Sequence, residues 1–138
     1  MTKRLPNKNM KFIIAFLFFC SAVCAADTAA AQQLIFPDSV CNVGPITEND
    51  PPRTYRFRCE NRSDKPIVIL RVDTSCGCVK SSFSRRPIAP GATDEVVVTF
   101  DPRGHAGALY KIMPVYTSAS GKRPETRLAL SGMVKPAQ

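Results

Sequence analysis

From residue 34 onward, apolar and polar positions alternate along most of the chain. In residues 54–60, Tyr55, Phe57 and Cys59 fall on one side while Arg56, Arg58 and Glu60 fall on the other. That period of two predicts a half-buried strand. Residues 66–72 form a continuous apolar run rich in β-branched side chains, expected of a more central strand. Residues 95–100 direct Val96, Val98 and Phe100 inward, and residues 126–134 do the same with Leu128 and Leu130. A further strand is predicted over 109–117, where Pro114 argues for a sheet edge or a bulge. The first strand is expected near 34–36 and 39–43. No long 3.6-residue periodicity interrupts this pattern, and Pro and Gly punctuate the intervals. Residues 61–65 carry turn chemistry. In residues 88–91, Pro90 sets φ and Gly91 accepts a positive φ, which predicts a tight turn. The reading is all-β: an immunoglobulin-like antiparallel β-sandwich of about seven strands over residues 34–135.

The segment before it has a different character. Lys3, Arg4, Lys8 and Lys11 precede an apolar stretch over residues 12–25. It is shorter than the roughly 20 residues of a membrane span and fits the apolar region of an export signal. Small residues follow, so cleavage is expected after Ala25 or Ala26. Residues 1–26 therefore read as a signal peptide and 27–33 as a flexible leader. A lipid anchor is disfavoured, because Phe18 and Phe19 stand before Cys20 where small residues are needed. The expected location is periplasmic or secreted, with no membrane span after cleavage.

Export changes the charge and the cysteine chemistry. The formal charge of +8 includes four basic residues of the signal, so the mature chain carries 15 basic against 11 acidic groups, net +4. Arg53, Arg56, Arg58 and Arg62 read as the solvated face of one strand, and nucleic acid is not expected as a partner. Cys20 and Cys24 leave with the signal, and Cys41, Cys59, Cys76 and Cys78 remain. An oxidising compartment makes disulfides the default, and four cysteines allow three pairings. The pairing preferred is Cys41 with Cys59, on successive and hence antiparallel strands. It demands a shifted register, because a symmetric hairpin sets Cys41 opposite Arg56. A rival joins Cys41 to Cys76 or Cys78.

Cys76-Gly77-Cys78 is the one sharp motif. An extended backbone there puts both sulfurs on one side, with the Cα atoms near the limit of disulfide reach. A bridge so made is expected to be strained and easily reduced. Gly77 relaxes the backbone, either for that bridge or for the close approach of another chain or ligand. A structural disulfide is the favoured reading. One alternative is a thiol-redox pair whose thiolate is favoured by Lys80, Arg85 and Arg86. Another is a Cu(I) or other soft-metal site at Cys76 and Cys78, completed by His105 and Met113. His105, the only imidazole, reads as a loop residue. With no carboxylate pair and no phosphate loop, the chain is expected to be non-enzymatic, with no catalytic residue, cofactor or resident metal.

Several segments occur together in a recognisable order. They are residues 61–67, 72–79, 88–91 and 96–101, closed by Lys111, residues 115–118 and residues 128–134. In this order they resemble the bacterial family called domain of unknown function 1573, whose members have an immunoglobulin-like fold similar to the ASPM/SPD-2/hydin type. Thr74, Ser75, Cys76, Gly77 and Cys78, followed by Pro90 and Gly91, carry most of the specificity. The resemblance implies export in bacteria and a β-sandwich, and carries no established activity. The chain departs from the pattern at Val79, where Thr is common, and Cys41 and Cys59 look like additions. The function expected is an exported immunoglobulin-like module for protein interaction or envelope scaffolding, its partner another exported or envelope protein.

Overall fold

Strand formation follows the alternation closely in the computed structural model, which describes residues 33–138. The expected signal peptide and nearly all of the expected leader fall on residues 1–32, which lie outside the described residues. Among the described residues the strands run as β1 (Leu34–Ile35), β2 (Val40–Asn42), β3 (Ile46–Thr47), β4 (Arg53–Asn61) and β5 (Ile69–Val72), then β6 (Val79–Phe83), β7 (Thr93–Phe100), β8 (Gly107–Thr117) and β9 (Thr126–Lys135). They build a four-stranded sheet in the order β1-β4-β7-β6 and a five-stranded sheet in the order β2-β9-β8-β5, with β3 also along β9.

The two sheets close on one core. Phe57, Cys59, Val96, Val98 and Phe100 of the first sheet join Met113, Val115, Leu128, Leu130 and Val134 of the second in a single buried cluster. Each large apolar side chain withdrawn from water there contributes about 1.5–3 kcal/mol. On the outward side of β4 stand Arg56, Arg58 and Glu60, with Arg56 paired to Glu95. The expected single arginine face is corrected, because Arg53 shares the phase of Tyr55 and Phe57 and pairs with Asp50, and Arg62 lies past the end of the strand and pairs with Glu60. The architecture is the immunoglobulin-like sandwich that the alternation predicts.

Four other local expectations are corrected. The expected first strand is divided: β1 joins the four-stranded sheet beside β4, whereas β2 runs parallel to β9 in the other sheet. The apolar run 66–72 forms an edge strand, because β5 pairs only with β8 and carries a register shift between Ile69 and Arg71. Ile67, Ile69 and Val72 are buried by the sandwich and not by a second strand neighbour, while Leu70 is exposed. Pro114 stands in β8, an interior strand of its sheet. Its carbonyl accepts the Asp73 N–H (2.9 Å), so its ring nitrogen also faces the chain there. Only the reciprocal bond to Asp73 is missing, just past the end of β5 at Val72, and the β8–β9 ladder is untouched. Finally, β6 is a strand that alternation did not predict.

Candidate functional site

The motif residues divide between opposite ends of the sandwich. At one end, β4 finishes at Asn61 and β7 begins at Thr93. At the other, β7 finishes at Phe100 opposite Val79, the first residue of β6. The 8 residues of β7 separate these ends by about 24 Å. Pro90 and Gly91 belong to the first end, and Thr74 to Cys78 to the second.

At the first end the motif is structural. The Ala92 N–H donates to the Ala89 carbonyl (2.9 Å), closing a turn with Pro90 and Gly91 at its centre. Gly91 has φ 75°, so the turn is type II, as its sequence predicts. Gly91 N–H donates to the Asn61 carbonyl and Asn61 N–H to the Ala92 carbonyl. The Asn61 side chain is wholly buried. Its Nδ2 donates to the carbonyls of Lys65 and Ile88 (both 2.8 Å), and its Oδ1 accepts from Ser63 N–H and Ser63 Oγ. One amide thus ties the 61–65 turn to the 88–92 turn.

At the second end the chain leaves β5, crosses residues 73–78 and enters β6. The Cys76 carbonyl accepts the Val79 N–H (3.3 Å), which closes a turn around Gly77 and Cys78. Within it, Cys76 and Cys78 form a disulfide with Cα atoms 5.3 Å apart. An extended backbone spaces alternate Cα atoms about 6.7 Å apart, so the bridge rests on a turn and not on the extended segment that was expected. Gly77 is not among the glycines with positive φ, and a Cβ added there meets nothing within 4 Å. The glycine therefore answers no need of the chain's own conformation, and open space lies over it. Cys78 is buried and Cys76 half-buried beside an exposed Gly77. The Cys78 carbonyl accepts the Asp101 N–H (2.8 Å), which anchors the turn to the end of β7.

The bridge does little for the fold. It closes a loop of three residues, for which the chain-entropy relation gives roughly 1.6 kcal/mol, about half the value for a 15-residue loop. It joins no two strands. The adjoining strands are held by the β6–β7 ladder, by the Asp101–Cys78 bond and by Ser81 Oγ donating to the Val72 carbonyl.

Neighbouring residues assemble only in part. Lys80 is exposed on β6 beside the turn, whereas Arg85 and Arg86 lie beyond the far end of that strand, so they do not join the cysteines. Met113 is wholly buried in the core of the other sheet. His105 is exposed on the loop after β7, its ring centroid 6.4 Å from that of Phe100. On the same loop the Arg103 guanidinium bonds the Asp101 carboxylate and lowers its pKa to about 2. Among the described residues no group of three or more His, Cys, Asp and Glu side chains is placed to hold a metal ion.

Cys41 and Cys59 are free thiols, which corrects the preferred pairing. Cys59 stands on β4, while Cys41 pairs with Leu130 across β2 and β9 in the other sheet. The two cysteines are therefore not neighbours on one antiparallel ladder, which is what the preferred pairing assumed. Burial pushes the Cys59 thiol up to about 11, and burial with the nearby Asp38 carboxylate raises that of Cys41.

A second feature lies on the outer face of the five-stranded sheet. Val40, Leu70, Tyr110, Ile112 and Met133, the large exposed apolar side chains among the described residues, all belong to strands of that sheet. Register sets Val40, Ala129 and Ile112 in one row across β2, β9 and β8, with Tyr110 opposite Ser131 and Met133 opposite Ala108. Arg127 and Lys135 also occupy outward positions of β9, and the outward positions of β8 and β9 carry no acid. Arg71 lies 3.8 Å over the Tyr116 ring. This face was missed in the sequence. Its signal was present, because Leu109 and Met113 on one phase and Tyr110 and Ile112 on the other are apolar around Lys111, close to the pattern of strands covered on both sides.

The sequence matches the family described as protein of unknown function (DUF1573) over residues 34–134. The chain belongs to the DUF1573 family. No curated protein matches it. Among solved structures, this DUF1573 domain is similar to a protein of unknown function from Porphyromonas gingivalis W83, at 12% identity and TM-score 0.62, covering 72% of this chain and 46% of that one. It is similar to the ASH/PapD-like domain 7 of human CEP192 at 15% identity and TM-score 0.59, covering 78% and 88%. It is also similar to the VesB protease of Vibrio cholerae at 17% identity and TM-score 0.55, covering 75% and 32%. At these identities the likeness shows the fold. The chain spans less than half of the P. gingivalis protein and about a third of VesB.

Proposed function

We propose that this DUF1573 domain is an exported, non-enzymatic immunoglobulin-like module that binds another exported or envelope protein through the outer face of its five-stranded sheet. The observation that carries the reading is the gathering of Val40, Leu70, Tyr110, Ile112 and Met133 on one sheet, whereas the described outward side of β4 in the other sheet is charged. Contiguous exposed apolar surface rimmed by polar groups marks an interaction site. Tyr and Met are enriched in protein interfaces. The outward Arg127 and Lys135 fit a partner whose apolar patch is fringed by carboxylates. Export is supported by the basic residues 3–11 and the apolar stretch 12–25 that follows.

A photo-crosslinking residue at Ile112, with Arg58 on the other sheet as control, tests the reading in the native host. The expected result is one defined protein adduct from position 112 and none from 58. That protein, identified and purified, binds the mature domain, and Ile112→Asp weakens binding tenfold or more while the melting temperature holds. Absence of an adduct, equal adducts from both faces, or sedimentation with anionic vesicles in place of a protein partner overturns it. N-terminal sequencing of the mature protein is expected to begin at Ala26 or Asp27, and an intact Met1 on cytoplasmic protein refutes export.

A further inference from the structure

We propose that Cys76 and Cys78 form a thiol–disulfide exchange centre that accepts two electrons from a dithiol on a partner protein. This goes beyond the interaction face, which lies on a different part of the fold. Three observations carry it. The bridge is confined to one turn, closes a three-residue loop and connects no two strands, so opening it leaves the hydrogen-bonded frame in place. The two cysteines differ in exposure, because Cys76 is half-buried while Cys78 is buried and its carbonyl is held by Asp101. Gly77 is exposed, has no positive φ and has open space where a side chain would stand, which leaves an approach to the bridge clear.

Exposure sets the order of events. A thiolate of the partner attacks Sγ of Cys76, the more exposed cysteine, and the Cys76–Cys78 bond breaks. Its electron pair passes to Sγ of Cys78, which takes up the proton lost by the attacking thiol and remains buried as a neutral thiol. The partner's second thiol, on losing its proton, attacks the partner sulfur of the mixed disulfide. Cys76 leaves as a thiolate and takes that proton. The partner has gone from dithiol to disulfide, and this chain has gained two electrons and two protons.

The experiment uses the oxidised mature chain with Cys41→Ser, which removes the other half-exposed thiol. It is equilibrated in mixtures of reduced and oxidised dithiothreitol, quenched in acid, and alkylated with a mass-tagged maleimide after denaturation. Circular dichroism is recorded at each mixture. Two further tagged cysteines are expected to appear with the native spectrum retained. In oxidised glutathione, Cys78→Ser is expected to capture glutathione at Cys76 at least tenfold faster than Cys76→Ser captures it at Cys78. The idea fails if the bridge opens only in denaturant that also unfolds the sandwich, or if the two variants trap glutathione equally. Either variant failing to fold leaves the titration of the intact pair as the deciding measurement. Ile112→Asp is expected to leave both readouts unchanged, so this proposal and the interaction face stand or fall separately.

Discussion

Asn61→Ala removes the amide that holds two turns together, and its cost is readable from the bonds it makes. Four side-chain hydrogen bonds are lost, two donated to Lys65 and Ile88 and two accepted from Ser63. Each buried bond is worth about 1 kcal/mol net. Two circumstances keep the loss from exceeding that sum. The Ile88 carbonyl retains the Ile67 N–H, and the single Ser63 hydroxyl proton, released by Asn61 Oδ1, turns to the Lys65 carbonyl, so neither is orphaned. The expected loss is roughly 2–4 kcal/mol, or about 10–20 °C in melting temperature for a domain of this size. Urea titration followed by circular dichroism measures it, with an unchanged slope as the sign of two-state behaviour. Asn61→Asp separates the hydrogen-bond argument from simple loss of volume. It keeps the acceptor toward Ser63 but turns a second oxygen toward two carbonyls. Burial and those oxygens both disfavour the ionised form, so the folded state holds its proton more tightly than the unfolded state. Stability is then retained below the ordinary carboxylate pKa and lost as pH rises above it. The Asp variant is expected to be distinctly more stable near pH 4 than near pH 7 relative to the parent, whereas Ala shows no such trend. An Ala cost below about 1 kcal/mol, or an Asp variant as stable as the parent at pH 7, refutes the reasoning.

Other expectations follow from the same geometry. Gly91→Ala carries a side chain into φ 75° with open space around it, so the cost is backbone strain alone, about 1–2 kcal/mol by thermal melting. Gly77→Ala, with no positive φ and nothing within reach, is expected to stay within about 0.5 kcal/mol of the parent. Gly132→Ala sets its Cβ 2.7 Å from Val43 Cγ2 at φ 149° and is expected to cost roughly 1–3 kcal/mol. Cys59, its thiol raised by burial to about 11, is expected to alkylate at pH 8 on the order of 100-fold more slowly in the native state than after unfolding. Because the folded state holds that proton more tightly, its contribution is intact below the ordinary thiol pKa. It fades as pH rises toward 11, so stability is expected to fall over that window in the parent and less in Cys59→Ala.

What was legible in the sequence is what depends on neighbours along the chain. Period-two alternation located β4, β7 and β9 with inward residues, because a pleated strand faces its core at every second residue whatever lies beyond it, and β8 was located as a strand without its inward face. The Pro90-Gly91 turn was legible for the same reason, its φ values being set by those two residues. Strand partners are decided elsewhere. Whether β2 lies beside β4 or runs parallel to β9 depends on where the chain crosses between sheets after Phe36, and no local preference records that crossing. The cysteine pairing also depended on partner choice: β2 and β4 stand in different sheets, so Cys41 and Cys59 are not ladder neighbours, and the bridge closes within one turn at Cys76 and Cys78. Asn61 looked like a turn residue, and only the approach of the 88–92 segment made it a buried joint. The apolar outer face is of the same kind, since its side chains come from β2, β5, β8 and β9 and meet only when the sheet assembles. The sequence by itself determined the long strands β4, β7, β8 and β9 and the turn at Gly91, because each is a short-range consequence of residue type. Only the tertiary structure decided which strands adjoin, which sulfurs bond and which apolar residues face outward together, because those are distances between residues far apart in the chain.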